Sequence, residues 1–258
     1  MNQQQFLALA TNIKNDTFEN RQMLLDKFDI VHNNVECAHD ESEAYYMANH
    51  ILYNQHIPGP LIEFGCYKCG MSAKLSHVAK LVDKQLILYD SFVGLLDSAN
   101  YESQPGTENI LTNFETGMYA STMQEATDNL INYGEHTYCS FAVGTIEKLL
   151  PILIEIESNH PSFVFIDVDI IDTCLFIIKN IWNKTTTELL FVHESCILDM
   201  MNSLSDYNFW QNNFGTNVPT FGHNFYNTLF SLPNTNCLNF IAKPNVLLDE
   251  MFLLNNQI

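Results

Sequence analysis

From residue 61 onward, short apolar runs alternate with stretches of helical spacing, and this alternation leaves the chain few folds to choose from. Residues 61–65, 85–90, 138–143, 163–167 and 188–192 are short runs rich in Leu, Ile, Val, Phe and Tyr, and they read as strands. Between them, residues 71–82, 146–157 and 171–182 repeat apolar side chains every three or four positions, which predicts helices. Parallel neighbours need a crossover of that length, almost always a right-handed one. The expected fold is therefore α/β, with a doubly wound, mostly parallel sheet.

The flanks follow from breakers and composition. Residues 3–55 carry apolar positions at helical spacing, among them Phe6, Leu7 and Ala10, then Ala44, Met47, Ala48 and Ile51. Pro58 and Pro60 around Gly59 end this region, since proline cannot continue a helix. Residues 1–57 are thus expected to form an N-terminal helical cap on a core of residues 58–258, the whole making one domain. Residues 91–135 interrupt the alternation, with Pro105, Gly106 and Gly117 marking a loop before a helix at 121–133. Insertions of that length beside strand ends usually serve as lids or substrate loops. Beyond Trp210, extended runs near 223–232 and 237–242 read as a closing antiparallel pair.

Charge and hydropathy exclude several functions. Thirty acidic against 11 basic residues give a net charge of −19, which repels phosphate backbones and anionic lipid, so neither nucleic acid nor membrane is expected as a partner. The apolar stretch 163–178 is broken by Asp167, Asp169 and Asp172 and is no membrane span. Residues 1–10 lack the pattern of a secretory signal, which points to a cytoplasmic location and to seven reduced cysteines. Cys66-x-x-Cys69 has no second pair to complete a zinc site and lacks a thioredoxin-like setting. Homo-oligomerisation is left open.

Four groups of residues carry possible chemistry. Glu63-Phe64-Gly65-Cys66-Tyr67-Lys68-Cys69-Gly70-Met71-Ser72 follows the first strand and opens a helix, where doubly wound folds bind nucleotides; a tight packing turn is the alternative. Asp90 ends the second strand, where a carboxylate can accept both ribose hydroxyls of an adenosine or simply cap a turn. Asp167, Asp169 and Asp172 cluster at the end of the fourth strand and suit a hard divalent cation, with Asp172 also placed to cap the next helix. His193-Glu194 ends the fifth strand beside Asp167 and could bind a metal, hold a general base, or be merely hydrogen bonded.

In order, these stretches resemble a known family. Gly59-Pro60-Leu61-Ile62-Glu63-Phe64-Gly65-Cys66-Tyr67-Lys68 resembles the opening motif of the macrocin O-methyltransferase family, and Tyr89-Asp90-Ser91-Phe92-Val93-Gly94-Leu95 resembles its next motif. Val143-Gly144-Thr145 is similar to the third and Phe165-Ile166-Asp167-Val168-Asp169 to the fourth, so the resemblance spans roughly residues 58–200. It implies a Rossmann-like class I fold and transfer of a methyl group from S-adenosylmethionine to a hydroxyl of a small molecule, a sugar or natural-product intermediate, with a divalent cation such as Mg. It implies that Glu63, Gly65 and Ser72 hold the methionine end, Asp90 the ribose, and Gly144 with Thr145 the adenine side, with Tyr67 and Ser91 in the same cofactor set. Asp167, Asp169 and Glu194 would be metal ligands, His193 a further ligand or the base. The chain departs from the pattern at Cys69-Gly70 and His193-Glu194, which stand where the family has a glycine pair and an acidic pair, and at Ile171, where it has an aromatic residue.

Methyl transfer from a sulfonium needs alignment and removal of the acceptor proton, and His193 and Asp167 are the expected catalytic residues. The rival readings are transfer to nitrogen or another acceptor, a non-catalytic cofactor-binding or scaffold protein, and a nucleotide-dependent oxidoreductase; the last lacks its G-x-G-x-x-G. A branched residue at Gly65 is expected to fill cofactor space while leaving the fold intact.

Overall fold

A computed structural model of the chain describes residues 1–96, 99–102, 111–156, 160–185, 189–193, 204, 206–223 and 238–242. Three helices come first, α1 (Gln3–Ala8), α2 (Phe18–Asn34) and α3 (Glu41–Tyr53). Each starts where a side chain satisfies a free amide of the first turn: Asn2 accepts from Gln5, Thr17 from Asn20, and Asp40 from Ser42. The core follows as β1 (Leu61–Phe64), α4 (Gly70–Val82) and β2 (Leu86–Asp90), then β3 (Ala99–Glu102), β4 (Leu111–Phe114) and α5 (Met123–Tyr133). It continues with β5 (Cys139–Val143), α6 (Ile146–Ile156), β6 (Phe163–Ile166), α7 (Ile171–Ile181) and β7 (Leu189–His193). After these come α8 (Tyr207–Phe214), β8 (Thr220–His223) and β9 (Leu238–Ala242).

The main sheet runs β5-β2-β1-β6-β7-β9-β8. Its first five strands are parallel, and β9 and β8 close it antiparallel. This is the expected doubly wound α/β sheet. The closing pair is also antiparallel as expected, although it starts at Thr220, ahead of the expected run, and residues 224–237 lie outside the described ones. Inside the 91–135 insertion, β3 and β4 form a separate two-stranded sheet that the sequence reading took for loop. No described helix is long and apolar enough to cross a membrane.

Successive strand residues face opposite sides, and the core divides accordingly. Leu61, Phe163, Phe165 and Phe191 face the layer of α2, α3 and α4; Ile62, Phe64, Val164, Ile166 and Val192 face the other side, packed with α7 and the Trp182–Trp210 pair. The same alternation turns Glu63, Asp167 and His193 toward the helical cap. α3 is buried almost from end to end, Glu43 through Leu52, so any polar group on it needs a partner within the protein. Those two facts bring the cap and the strand ends together.

Candidate active site

Beyond β1 the chain turns through Gly65 (φ 83°), Tyr67 (φ 46°) and Cys69 (φ 63°), three left-handed residues that aim backbone amides inward before α4 begins. Asp90 fastens this turn. Its Oδ2 accepts from the amides of Cys66 (2.8 Å) and Tyr67 (2.9 Å), and its Oδ1 from that of Phe92 (2.7 Å). A carboxylate offers about four lone-pair directions, so one remains for a ligand hydroxyl. Asp90 therefore has the turn-capping role first, and any ribose contact is added to it. The Ser91 hydroxyl stays within the same loop, accepting from the Val93 amide (3.3 Å) and facing the Gly94 carbonyl (3.4 Å).

The amide of Gly144 donates to the Asp90 carbonyl (2.9 Å), and the Thr145 carbonyl accepts from Lys148 and Leu149 at the start of α6. The ends of β1, β2 and β5 are thus joined along one edge of the sheet. Gly65 also has the packing role: a Cβ there would lie 1.7 Å from the Asp167 carbonyl oxygen. The expectation that a branched residue at this position leaves the fold intact is therefore corrected, because the added atom would part β1 from β6.

Glu63 and Ser72 lie beneath this turn. Glu63 is 1% exposed, and burial pushes its carboxyl up to about 8. Its Oε2 has no hydrogen-bond partner; the fully buried Ser72 hydroxyl beside it draws the acidity part of the way back without hydrogen-bond geometry, and has no partner either. Buried polar atoms are rarely left unpaired. Two neighbouring ones at the strand end point to a ligand group that fills the place. Nearby, the Tyr67 ring meets Tyr119 edge-on at 6.0 Å, and the Ser121 hydroxyl donates to the Tyr67 carbonyl (2.7 Å).

The second centre joins the cap to β6 and β7. Asp167 Oδ1 faces His193 Nδ1 at 3.1 Å, and its Oδ2 faces His39 Nε2 at 3.0 Å. Glu43 Oε2 lies 2.9 Å from His39 Nδ1 and 3.8 Å from His193 Nε2. The two imidazoles and two carboxylates alternate around a ring. Burial works against charge on Asp167, but His193 and His39 outweigh it and hold the carboxyl well below its usual range. Burial likewise favours a neutral His39, and the Asp167 and Glu43 carboxylates overcome it and raise the imidazole well above its ordinary value. Asp167 is the most open member, with 20% of its side chain exposed against 13% for His193 and 1% for Glu43.

Sequence reasoning missed His39 and Glu43. It collected residues at strand ends, whereas these two belong to the cap, one just before α3 and one in its first turn. The signal was there as a His and a Glu four apart at the start of a helix rich in apolar side chains. Asp169 lies beside Asp167 in a left-handed conformation (φ 60°), and burial, then the Asp167 charge, push it up to about 7. Glu194 lies outside the described residues. Asp172 sits in the first turn of α7, whose N-cap is Ile170, so it does not cap that helix. Cys66 and Cys69 are buried and free, and burial raises the Cys66 thiol far above its ordinary value.

The fold is similar to that of several solved structures. The O-methyltransferase NovP matches 88% of the chain over 81% of its own length, with a TM-score of 0.54 at 14% identity. The calicheamicin methyltransferase CalS11 matches 88% of the chain over 93% of its own, with a TM-score of 0.52 at 10% identity. The chain has the class I methyltransferase fold. An O-methyltransferase from Bacillus cereus, in complex with SAH, matches 94% of the chain over its full length, with a TM-score of 0.50 at 7% identity. No family model and no curated protein matches the sequence.

Proposed function

We propose that the chain binds S-adenosylmethionine across the ends of β1, β2 and β5 and transfers its methyl group to a hydroxyl of a small molecule held at Asp167 and His193. The observation that carries the cofactor assignment is the unpartnered pair, Glu63 Oε2 and Ser72 Oγ, buried where an α/β sheet receives its ligand. An ammonium suits that place, because it donates to both oxygens and restores the charge that burial removes from Glu63. Glu63, Gly65, Tyr67 and Ser72 then hold the methionine end, Asp90 and Ser91 the ribose, and Gly144 and Thr145 the adenine side. Bound there, S-adenosylmethionine supplies an electrophilic methyl group on its sulfonium.

The acceptor hydroxyl meets Asp167, the open member of the ring, and its proton is taken up by the Asp167–His193 pair, whose 3.1 Å contact keeps the imidazole oriented. Tyr67 and Tyr119 offer aromatic surface beside it, suited to the apolar face of a sugar or a ring. The names of NovP and the calicheamicin enzyme support a hydroxyl acceptor and a natural-product setting. An all-oxygen cation site of Asp167, Asp169 and Glu194 has less support in this neighbourhood, because each Asp167 oxygen already faces an imidazole. No step is assigned to it.

The test is formation of demethylated cofactor with a panel of hydroxylated acceptors. Asp167→Asn is expected to lose turnover while cofactor affinity holds. Full activity in both Asp167→Asn and His193→Ala would refute the acceptor site.

A further inference from the structure

We infer that His39 Nδ1, His193 Nε2 and the Glu43 carboxylate form a binding site for a first-row transition cation such as Zn²⁺ or Co²⁺, which ties the helical cap to the sheet. One ligand atom from each of the three residues lies within 4.8 Å of the other two. On the far side of both rings stands Asp167, which accepts from His39 Nε2 and His193 Nδ1. With protons kept on those two nitrogens, a cation that displaces the His39 Nδ1 proton now accepted by Glu43 Oε2 would find the lone pairs of His39 Nδ1 and His193 Nε2, both turned toward Glu43. A carboxylate behind a ligating imidazole fixes its tautomer and raises its basicity, and here one carboxylate serves two rings. The independent observation is Glu43 Oε1, which is buried without any partner while Oε2 contacts both imidazoles. A cation among the three would satisfy it.

The donor set decides the kind of cation. Two imidazoles and one carboxylate favour borderline divalent metals, whereas Mg²⁺ keeps to oxygen ligands and to water. The site is also more closed than a magnesium site, since His39 is 9% exposed and Glu43 is fully buried. Its ligands come from the segment before α3, from α3 itself and from the end of β7, so the cation would fasten the cap against the strand end. With metal on Nε2, His193 would keep its Nδ1 proton on the Asp167 contact, and the pair would take up the acceptor proton on the Asp167 side. Metal binding needs neither cofactor nor acceptor, so this inference stands or falls apart from the methyl-transfer reading.

The experiment is titration of chelator-stripped full-length protein with Co²⁺, followed by visible absorption and calorimetry, then competition with Zn²⁺ and Mg²⁺. One equivalent of Co²⁺ is expected to bind with nitrogen and oxygen ligation, to be displaced by Zn²⁺ and to be unaffected by millimolar Mg²⁺. Glu43→Gln and His39→Ala should each weaken binding roughly 100-fold, and Asp167→Asn, which removes only the outer support, by roughly 10- to 100-fold. If the cap variants do not fold, the wild-type spectrum still decides. A thiolate-to-cobalt charge-transfer band would place the ion on cysteine, and competition by Mg²⁺ would mean an oxygen site. Either result, or no binding at all, overturns the inference.

Discussion

Replacing Glu63 with Gln tests the buried carboxyl on which the proposed cofactor site depends. Burial moves this group from 4.5 to about 8, so the native protein holds a proton there that the unfolded chain has released at neutral pH. The stability this group contributes is complete below pH 4.5 and is lost as pH rises through about 8. Each pH unit of the gap is worth about 1.4 kcal/mol, which sets a ceiling of about 5 kcal/mol on the penalty above pH 8. Glutamine is neutral throughout and nearly the same shape, so Glu63→Gln should match wild type at about pH 4 and exceed it at about pH 8.5 by 2 kcal/mol or more. Urea denaturation at the two pH values measures the difference directly. A constant offset between the two proteins would mean that Glu63 ionises as an exposed carboxyl does, and the argument for an ammonium seat would fall with it. The same reasoning predicts proton release when S-adenosylhomocysteine binds near pH 7, visible in calorimetry as dependence on the buffer's ionisation heat and absent in the mutant.

Gly65→Ala and Gly117→Ala form a matched pair. Both backbones have positive φ, but a Cβ meets the Asp167 carbonyl in the first and nothing within 4 Å in the second. Gly117→Ala should cost about 1–2 kcal/mol in chemical denaturation, whereas Gly65→Ala should prevent folding by circular dichroism; equal losses would refute the close approach of β1 and β6. Asp90→Ala strands three backbone amides and should destabilise the chain by about 3 kcal/mol, with Asn less harmful, while weakening the cofactor. An effect on binding alone would remove its capping role. Arg21→Met leaves Asp16 charged and buried inside the cap and should cost about 3–5 kcal/mol in urea unfolding; a neutral outcome would show that water reaches Asp16.

Periodicity made the parallel strands legible, because runs such as Phe163–Ile166 are buried on both faces and must be apolar at every position. The β3–β4 hairpin was hidden because Ala99-Asn100-Tyr101-Glu102 and Leu111-Thr112-Asn113-Phe114 are too short and too polar to stand out beside Pro105 and Gly106. In the candidate site, the strand-end residues Glu63, Asp90, Asp167 and His193 could be singled out by position, since a doubly wound sheet collects ligands at that edge. His39 and Glu43 reach the same place through helix-on-sheet packing across more than 120 residues of sequence, for which no local spacing speaks. Likewise, the amides that Asp90 accepts come from a turn whose left-handed residues, Tyr67 and Cys69, are not the usual types for that conformation.

The central claim is that the buried acid at the end of β1 seats the methionine end of S-adenosylmethionine, and calorimetric titration of wild type and Glu63→Gln with S-adenosylmethionine tests it most directly. Wild type is expected to show one site with a dissociation constant on the order of micromolar, and the folded mutant a clear loss of affinity. A folded wild-type protein that gives no binding heat, or a mutant that binds as tightly as wild type, would contradict it.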